Sequence, residues 1–227
     1  MGKPCSSYSG VRMHLSTLFH IHTTYTDGKS TLREYFEYAE ARGIRKLIFL
    51  EHIRKQPTYD VFSFARSVKN YSEAYNASGI VGFEAKILPD GELDILDEHI
   101  KVADFVGIAE HSFKEGRRGL LSSFREVCGS YPQKYPTTQF VWVHPGLWFK
   151  KRNILHSSCH FKMLEIAGNC PVKIEVNLRY QLPQLESFSY FPVLKEKMIV
   201  GLDAHSVADI NRLLTSQYAS NILRFVK

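Results

Sequence analysis

No apolar run in this chain reaches the roughly 18 residues that a bilayer-spanning helix needs. Nor does an apolar signal-peptide core follow Met1. There are only four cysteines, Cys5, Cys128, Cys159 and Cys170, with no CxxC pair and no regular spacing. That excludes a disulfide framework and suits reduced thiols in a cytoplasmic protein. Long basic runs are missing as well, although 29 Lys+Arg against 23 Asp+Glu leave a net charge of +6. A solvated surface explains this excess better than a nucleic-acid stripe, while its sign favours anionic ligands. Linkers, low-complexity segments and short repeats are absent, and 44% hydrophobic content supports one sizeable core. The expected organisation is an extended or disordered terminus over 1–11 and one domain over 12–227. The opening MGKPCS fits the loose Met-Gly-x-x-x-Ser pattern for myristoylation, but an unstructured terminus is the preferred reading.

What the chain has instead is alternation. Residues 14–22 read as a strand. Residues 30–43 read as a helix, with Ser30 as N-cap, Glu34 one turn in and Gly43 as stop. Strands are expected at 46–52, 79–88, 103–111, 138–146, 172–178 and 198–206. Helices are expected at 59–77, 92–99, 118–129, 158–168 and 183–195, with two short ones closing the chain. Seven strands, each followed by helix, argue a parallel sheet, because parallel neighbours need a crossover. The sheet is either a closed barrel or an open doubly wound one.

Metal-binding side chains fall at the ends of these runs. Of ten histidines, His20, His22, His52, His111, His144 and His205 lie at or just past the C-terminal end of an expected strand. Glu84 and Asp203 occupy similar places, and Asp27 lies in the loop after the first strand. A parallel barrel brings all such ends to one rim, so the pattern favours closure. Residues i and i+2 of a strand share a face, so His20 and His22 aim at one point, as do Asp203 and His205. Taken singly, each has an ordinary reading: a hydrogen-bonded core histidine, a helix cap at Asp203, a turn residue at Asp27. Glu84 is the exception, since a carboxylate inside an apolar strand needs a partner. Jointly, the nine argue a metal centre. His14, His99, His156 and His160 lack this placement and read as structural or exposed. Nine ligands exceed what one ion takes, so two or three ions sharing a carboxylate are expected. Zn, Mn and Fe all suit mixed imidazole and carboxylate donors.

The motifs HIHTTYTDG, LEH at 50–52, GFEAKIL, GIAEHSF, WVHPG, IEVN at 174–177 and GLDAHS at 201–206 follow one another in an order that resembles the polymerase and histidinol phosphatase (PHP) family. The resemblance runs from about residue 14 to 206. It implies an α/β fold, a distorted seven-stranded (β/α)7 TIM-like barrel, with a two- or three-metal site at the C-terminal rim and phosphoester hydrolysis. Carried over by position, His20, His22, Glu84 and Asp203 would hold one ion. Asp27, His52 and His205 would surround a second, and His111 and His144 would hold a third bridged by Glu84. Two departures are visible: Leu18 and Glu51 stand where the family often has Asp, at places that orient ligands.

The function implied is a metal-dependent hydrolase in which a metal-activated hydroxide attacks phosphorus. A small phosphorylated metabolite, such as histidinol phosphate, a nucleotide or a sugar phosphate, is the first substrate class. Asp203, Arg54 and Arg179 are the catalytic candidates. Arg54, Lys150, Arg152, Arg179 and Trp148 are the substrate-binding ones, because Arg forks and Lys suit phosphate oxygens. Lys114, Arg117, Arg118 and Lys151 add charge to the same rim. Phe113, Phe149 and Tyr180 lie there too, either to stack on a ring or to cover the barrel mouth. Two alternatives stand beside this: a nuclease acting on nucleic-acid ends, and a non-catalytic metal-stabilised binding module. The oligomeric state is left open.

Overall fold

The computed structural model describes residues 15–226. The terminus over 1–11, the MGKPCS pattern and His14 lie outside the described residues. The elements follow one another as β1 (Thr17–Ile21), α1 (Leu32–Glu40), β2 (Lys46–Phe49), β3 (Glu51–His52), α2 (Val61–Ala74), β4 (Ser78–Ile80) and β5 (Gly82–Lys86). Next come α3 (Asp97–Ile100), β6 (Phe105–Ala109), α4 (Arg117–Lys134), β7 (Gln139–Trp142), α5 (Leu147–Lys150), α6 (Ser158–Asn169) and β8 (Lys173–Asn177). The chain continues through α7 (Ser187–Tyr190), a 3-10 segment (Pro192–Lys197), β9 (Met198–Ala204), α8 (Val207–Leu214) and α9 (Gln217–Val226).

All nine strand segments join one curled, all-parallel sheet in the order β3-β5-β6-β7-β8-β9-β1-β2-β4. The seven expected strands become nine segments because two runs are interrupted. One residue, Leu50, separates β2 from β3, and one, Val81, separates β4 from β5. β2 pairs with β4 and β3 with β5, so segments at opposite ends of the order are chain neighbours. A sheet curled over so few strands bends sharply, and the hydrogen-bond ladder gives way at the bends.

Local chemistry sets the helix ends. The N-cap of α1 is Thr31, not Ser30: Thr31 and Glu34 form a reciprocal capping box. Ser30 instead accepts from the Val207 amide at 3.2 Å, tying the first loop to α8. α4 runs past the expected end at 129 and carries Pro132 in its last turn, where the missing N–H leaves the Cys128 carbonyl without its i+4 donor and the helix stops two residues later. The expected helix at 92–99 shrinks to α3, and that at 183–195 splits into α7 and the 3-10 segment, which begins at Pro192. α5 is an extra short helix that follows Gly146, whose φ of 93° suits glycine.

Two apolar clusters occupy the two faces of the sheet. The larger joins outward strand residues such as Leu18, Ile21 and Trp142 to Tyr35, Phe36, Phe64 and Phe124 of the helices. The smaller contains no helix residue: Phe19, Ile48, Leu50, Ala109, Val141 and Val143 fill the inside of the curl. This floor lies beneath the strand ends that carry the histidines.

Candidate metal centre

Alternation along β1 puts Leu18 outside and Phe19 inside. A strict pleat would then send His20 outward among the helices and Ile21 inward. Neither occurs. The register shifts between Phe19 and Ile21, and His20 adopts a left-handed φ of 68°. That reset keeps Ile21 outside and turns His20 and His22 into the bowl together. The i, i+2 relation of His20 and His22 thus holds, with Ile21 outside between them, and the bulge decides that the face they share is the one lining the bowl. His144, which follows the inward Val143, has φ of 33°, and Asp203 has φ of 51°. Left-handed backbone at a non-glycine residue costs about 1–3 kcal/mol and persists where surroundings over-determine it.

The bowl is organised around Glu84 on β5. Glu84 Oε2 lies 3.3 Å from His20 Nε2, 3.5 Å from His22 Nε2 and 3.3 Å from His52 Nδ1. Its Oε1 lies 3.1 Å from His144 Nε2 and 3.8 Å from His111 Nδ1. Asp203 Oδ1 is 3.4 Å from His22 Nε2 and 3.4 Å from His205 Nδ1. Asp27 Oδ2 is 3.3 Å from both His52 Nε2 and His205 Nε2. All nine side chains singled out from the sequence thus come together, in four overlapping sets. These are His22, Asp27, His52 and His205; His20, His22 and Glu84; His20, His144 and Asp203; and Glu84, His111 and His144. The grouping differs from the positional carry-over in that His22 also joins the Asp27 side and His144 also joins Asp203.

The electrostatics suit a cation. Burial lowers the pKa of His22 to about 4 and, with His144 nearby, that of His111 to about 3, so both rings are neutral near pH 7. His22 Nε2 and His111 Nδ1, both facing Glu84, are buried without a hydrogen-bond partner. Burial pushes the Glu84 carboxyl up, but hydrogen bonds and charge from His144, His20 and His52 hold it well below the usual carboxylate range. Hydrogen bonds from His205 and His52 hold Asp27 down in the same way. Burial opposes the charged form of His20, His52, His144 and His205 as well, but the facing carboxylates raise all four, so a divalent ion would take the place of their protons among ionised carboxylates; by donor type the residues present fit two or three such ions.

The basic and aromatic candidates separate into used and unused groups. Arg54 pairs with Asp94 at 3.5 Å and donates to the Ile53 carbonyl. Arg179 donates to the Asp203 carbonyl at 2.6 Å and to Asp209 at 2.9 Å. Lys150, exposed, donates to the Tyr180 carbonyl at 2.6 Å. Arg152 stacks over Trp148, 3.9 Å from the ring centroid. Trp148 itself is buried, its Nε1 donating to the Phe113 carbonyl at 2.9 Å, so the expected stacking face for a substrate is covered. Phe113 and Phe149 are buried too. Tyr180 alone of these aromatics reaches the bowl, half-buried with its ring edge-on to His144 at 5.7 Å. Of the other histidines, His99 and His160 are buried and His156 is exposed.

Of three buried glutamates around the bowl, Glu51 stands at one of the ligand-orienting places noted from the sequence, while Glu110 and Glu175 were not read there as functional residues. Glu51 accepts from the Thr23 amide at 2.7 Å and from the Thr26 hydroxyl, and burial pushes its pKa up to about 7. Glu110 accepts from Trp142 Nε1 at 2.8 Å and the Gly146 amide at 2.9 Å. Glu175 accepts from His20 Nδ1 at 2.7 Å, the His144 amide at 2.5 Å and Asn177 Nδ2 at 3.0 Å. The available signal was the one used for Glu84: a carboxylate inside an apolar run.

No family model matches the sequence, and no curated protein matches it. The fold does have solved relatives. A histidinol phosphate phosphatase from Lactococcus lactis, complexed with zinc, L-histidinol and phosphate, superposes with a TM-score of 0.58 at 14% identity, covering 92% of each chain. A two-domain protein from Bacteroides vulgatus containing a predicted PHP-like metal-dependent phosphoesterase superposes with a TM-score of 0.52 at 17% identity, covering 86% of this chain and 53% of that one. This chain shares its fold with these PHP-like structures.

Proposed function

We propose that this chain is a PHP-type metal-dependent phosphoesterase that hydrolyses a small phosphorylated metabolite. The observation that carries the reading is the convergence of six imidazoles and three carboxylates on one bowl around Glu84. The fold shared with PHP-like structures supports it. Each interrupted run counts, in this reading, as one strand of the family's seven-stranded barrel, and 12–227, of which 15–226 are described, is one domain. In this reading His20, His22, Asp27, His52, Glu84, His111, His144, Asp203 and His205 hold two or three Zn, Mn or Fe ions. The chemistry supplied by bound divalent ions is Lewis acidity toward water and toward the phosphoryl oxygens. The chain's own groups bind and orient. Lys150 and Arg152, exposed on the rim, meet the outer phosphate oxygens. Tyr180 walls the bowl beside His144. Asp27, with its side chain 55% exposed, marks the side from which substrate enters. Among the described residues no helix is long and apolar enough to cross a membrane, and a cytoplasmic location fits this substrate class.

A second reading, action on nucleic-acid ends, has one observation in its favour. Arg117, Arg118 and Lys162 line a cavity of about 730 Å³ between α4 and α6. Lys162 also lines a neighbouring cavity of about 610 Å³ that contains Arg125. One experiment addresses both. Elemental analysis of the purified protein is paired with hydrolysis of an aryl phosphate, a panel of phosphorylated metabolites and short oligonucleotides. Stoichiometric metal is expected, with a ~100-fold or greater loss of aryl phosphate hydrolysis in His111→Ala. An oligonucleotide substrate whose turnover falls steeply with salt selects the second reading. Metal-free protein, or full activity in the folded His111→Ala variant, sinks both.

A further inference from the structure

With each interrupted run counted as one strand, the nine candidate ligands leave one strand of the curl unused. β8 supplies none of them, yet its inward residues are buried polar groups: Glu175 and Asn177 are both fully buried. Arg179 follows two residues beyond Asn177. Their partners are the ligand residues with left-handed backbones. Glu175 takes hydrogen bonds from His20 Nδ1 and the His144 amide, and Arg179 donates to the carbonyl of Asp203. His20, His144 and Asp203 are also one of the four sets able to share an ion. The space for Glu175 is reserved, because a Cβ on Gly201 of β9 would collide with its carboxylate.

We infer that β8 is a bracing strand: Glu175 and Arg179 are positioning residues that hold His20, His144 and Asp203 in the strained backbone that aims them at one ion. The inference rests on the proposed metal-dependent function and adds to it a role for the strand without ligands. Three donors converge on Glu175: an imidazole N–H, a backbone N–H and the Asn177 amide. Only a carboxylate, with acceptors on both oxygens, receives all three; a glutamine turns an NH2 toward at least one of them. A carboxylate at Nδ1 also fixes the His20 ring so that Nε2 faces the bowl, where it lies 3.3 Å from Glu84. Arg179 is anchored at its far side by Asp209, 2.9 Å away, so its hold on the Asp203 carbonyl is rigid.

The test is titration of Mn2+ and Co2+ into metal-stripped wild type, Glu175→Gln, Arg179→Lys and His160→Gln, with the visible spectrum of each cobalt form. Glu175→Gln is expected to weaken metal affinity ~10–100-fold and to alter the cobalt spectrum. Arg179→Lys should do so less. His160→Gln removes a buried imidazole outside the bowl and should leave affinity and spectrum as in wild type. If Glu175→Gln does not fold, Arg179→Lys and the nitrogen NMR of the zinc-loaded wild type decide, with His20 expected to keep its proton on Nδ1. Coordination of zinc through His20 Nδ1 overturns the inference, as does wild-type metal affinity in both β8 variants. A wild type that takes up no ion sinks the proposed function instead, and this inference with it.

Discussion

The two sides of the bowl are built differently. On one side His20, Glu84, His144 and Asp203 are all at most 3% exposed, and three of them stand on left-handed backbone. On the other, Asp27, His52 and His205 have side chains 55%, 27% and 21% exposed and lie on loops or strand ends. The buried side is held by protein groups whatever occupies the bowl. The open side touches solvent; Asp27 links His52 to His205, and Glu84 and Asp203 reach those two rings from the buried side. The difference separates two tasks: the buried side fixes geometry, and the open side admits water and substrate.

The largest effect that would sharpen this contrast is expected at Glu84. It alone faces five of the six imidazoles in the bowl. Glu84→Gln should abolish aryl phosphate hydrolysis and reduce metal content below one ion per chain. Stripping charge from a buried, paired network should also cost about 3–5 kcal/mol in urea unfolding at pH 7. A variant with normal metal content and stability would show that the buried side does not depend on its central carboxylate.

A buried imidazole away from the bowl provides the next comparison. His160 is buried beside Trp142 and Phe149, its Nδ1 donating to the Leu155 carbonyl at 2.6 Å and its Nε2 unpartnered. No carboxylate pairs with it, unlike the rings inside the bowl. Burial lowers its pKa from 6.5 to about 4. The unfolded chain therefore takes up a proton that the folded one refuses. The stability His160 contributes is intact above pH 6.5 and is lost as pH falls toward 4, by up to about 3 kcal/mol. His160→Gln removes this component. The unfolding free energy of wild type, minus that of the variant, should shrink across this window, and a flat difference would contradict the assignment.

The sequence made the ligands legible because six of the seven expected strands carry one at or near the C-terminal end, and a parallel sheet brings such ends together. His20, Glu84, His111 and Asp203 could be placed without coordinates for that reason. What held them was not legible. The partner of Glu175 is His20, 155 positions away, and nothing local marks the pairing. The left-handed backbone at His20 and His144 carries no signal either, since the usual cue for it is glycine. The breaks at Leu50 and Val81 fall on ordinary apolar residues, because curvature of the whole sheet, not local propensity, makes them. Thr31 is a different kind of miss. Glu34 lies three residues after it, and the capping-box spacing alone separates it from Ser30.

The smallest effect on stability, and the sharpest check on the division of tasks, is expected at Asp27. Its carboxylate bridges His52 and His205 at 3.3 Å each, but it is more than half exposed, and solvent-screened pairs contribute under about 1 kcal/mol. Asp27→Asn should therefore unfold within about 1 kcal/mol of wild type. It should nevertheless lower metal occupancy, because the set formed with His22, His52 and His205 loses its only carboxylate. Urea unfolding and elemental analysis on the same preparation read the two quantities together. Stability and occupancy that fall in step, as expected for Glu84→Gln, would mean that the open side braces the bowl as much as the buried side does, and the contrast between them would fail.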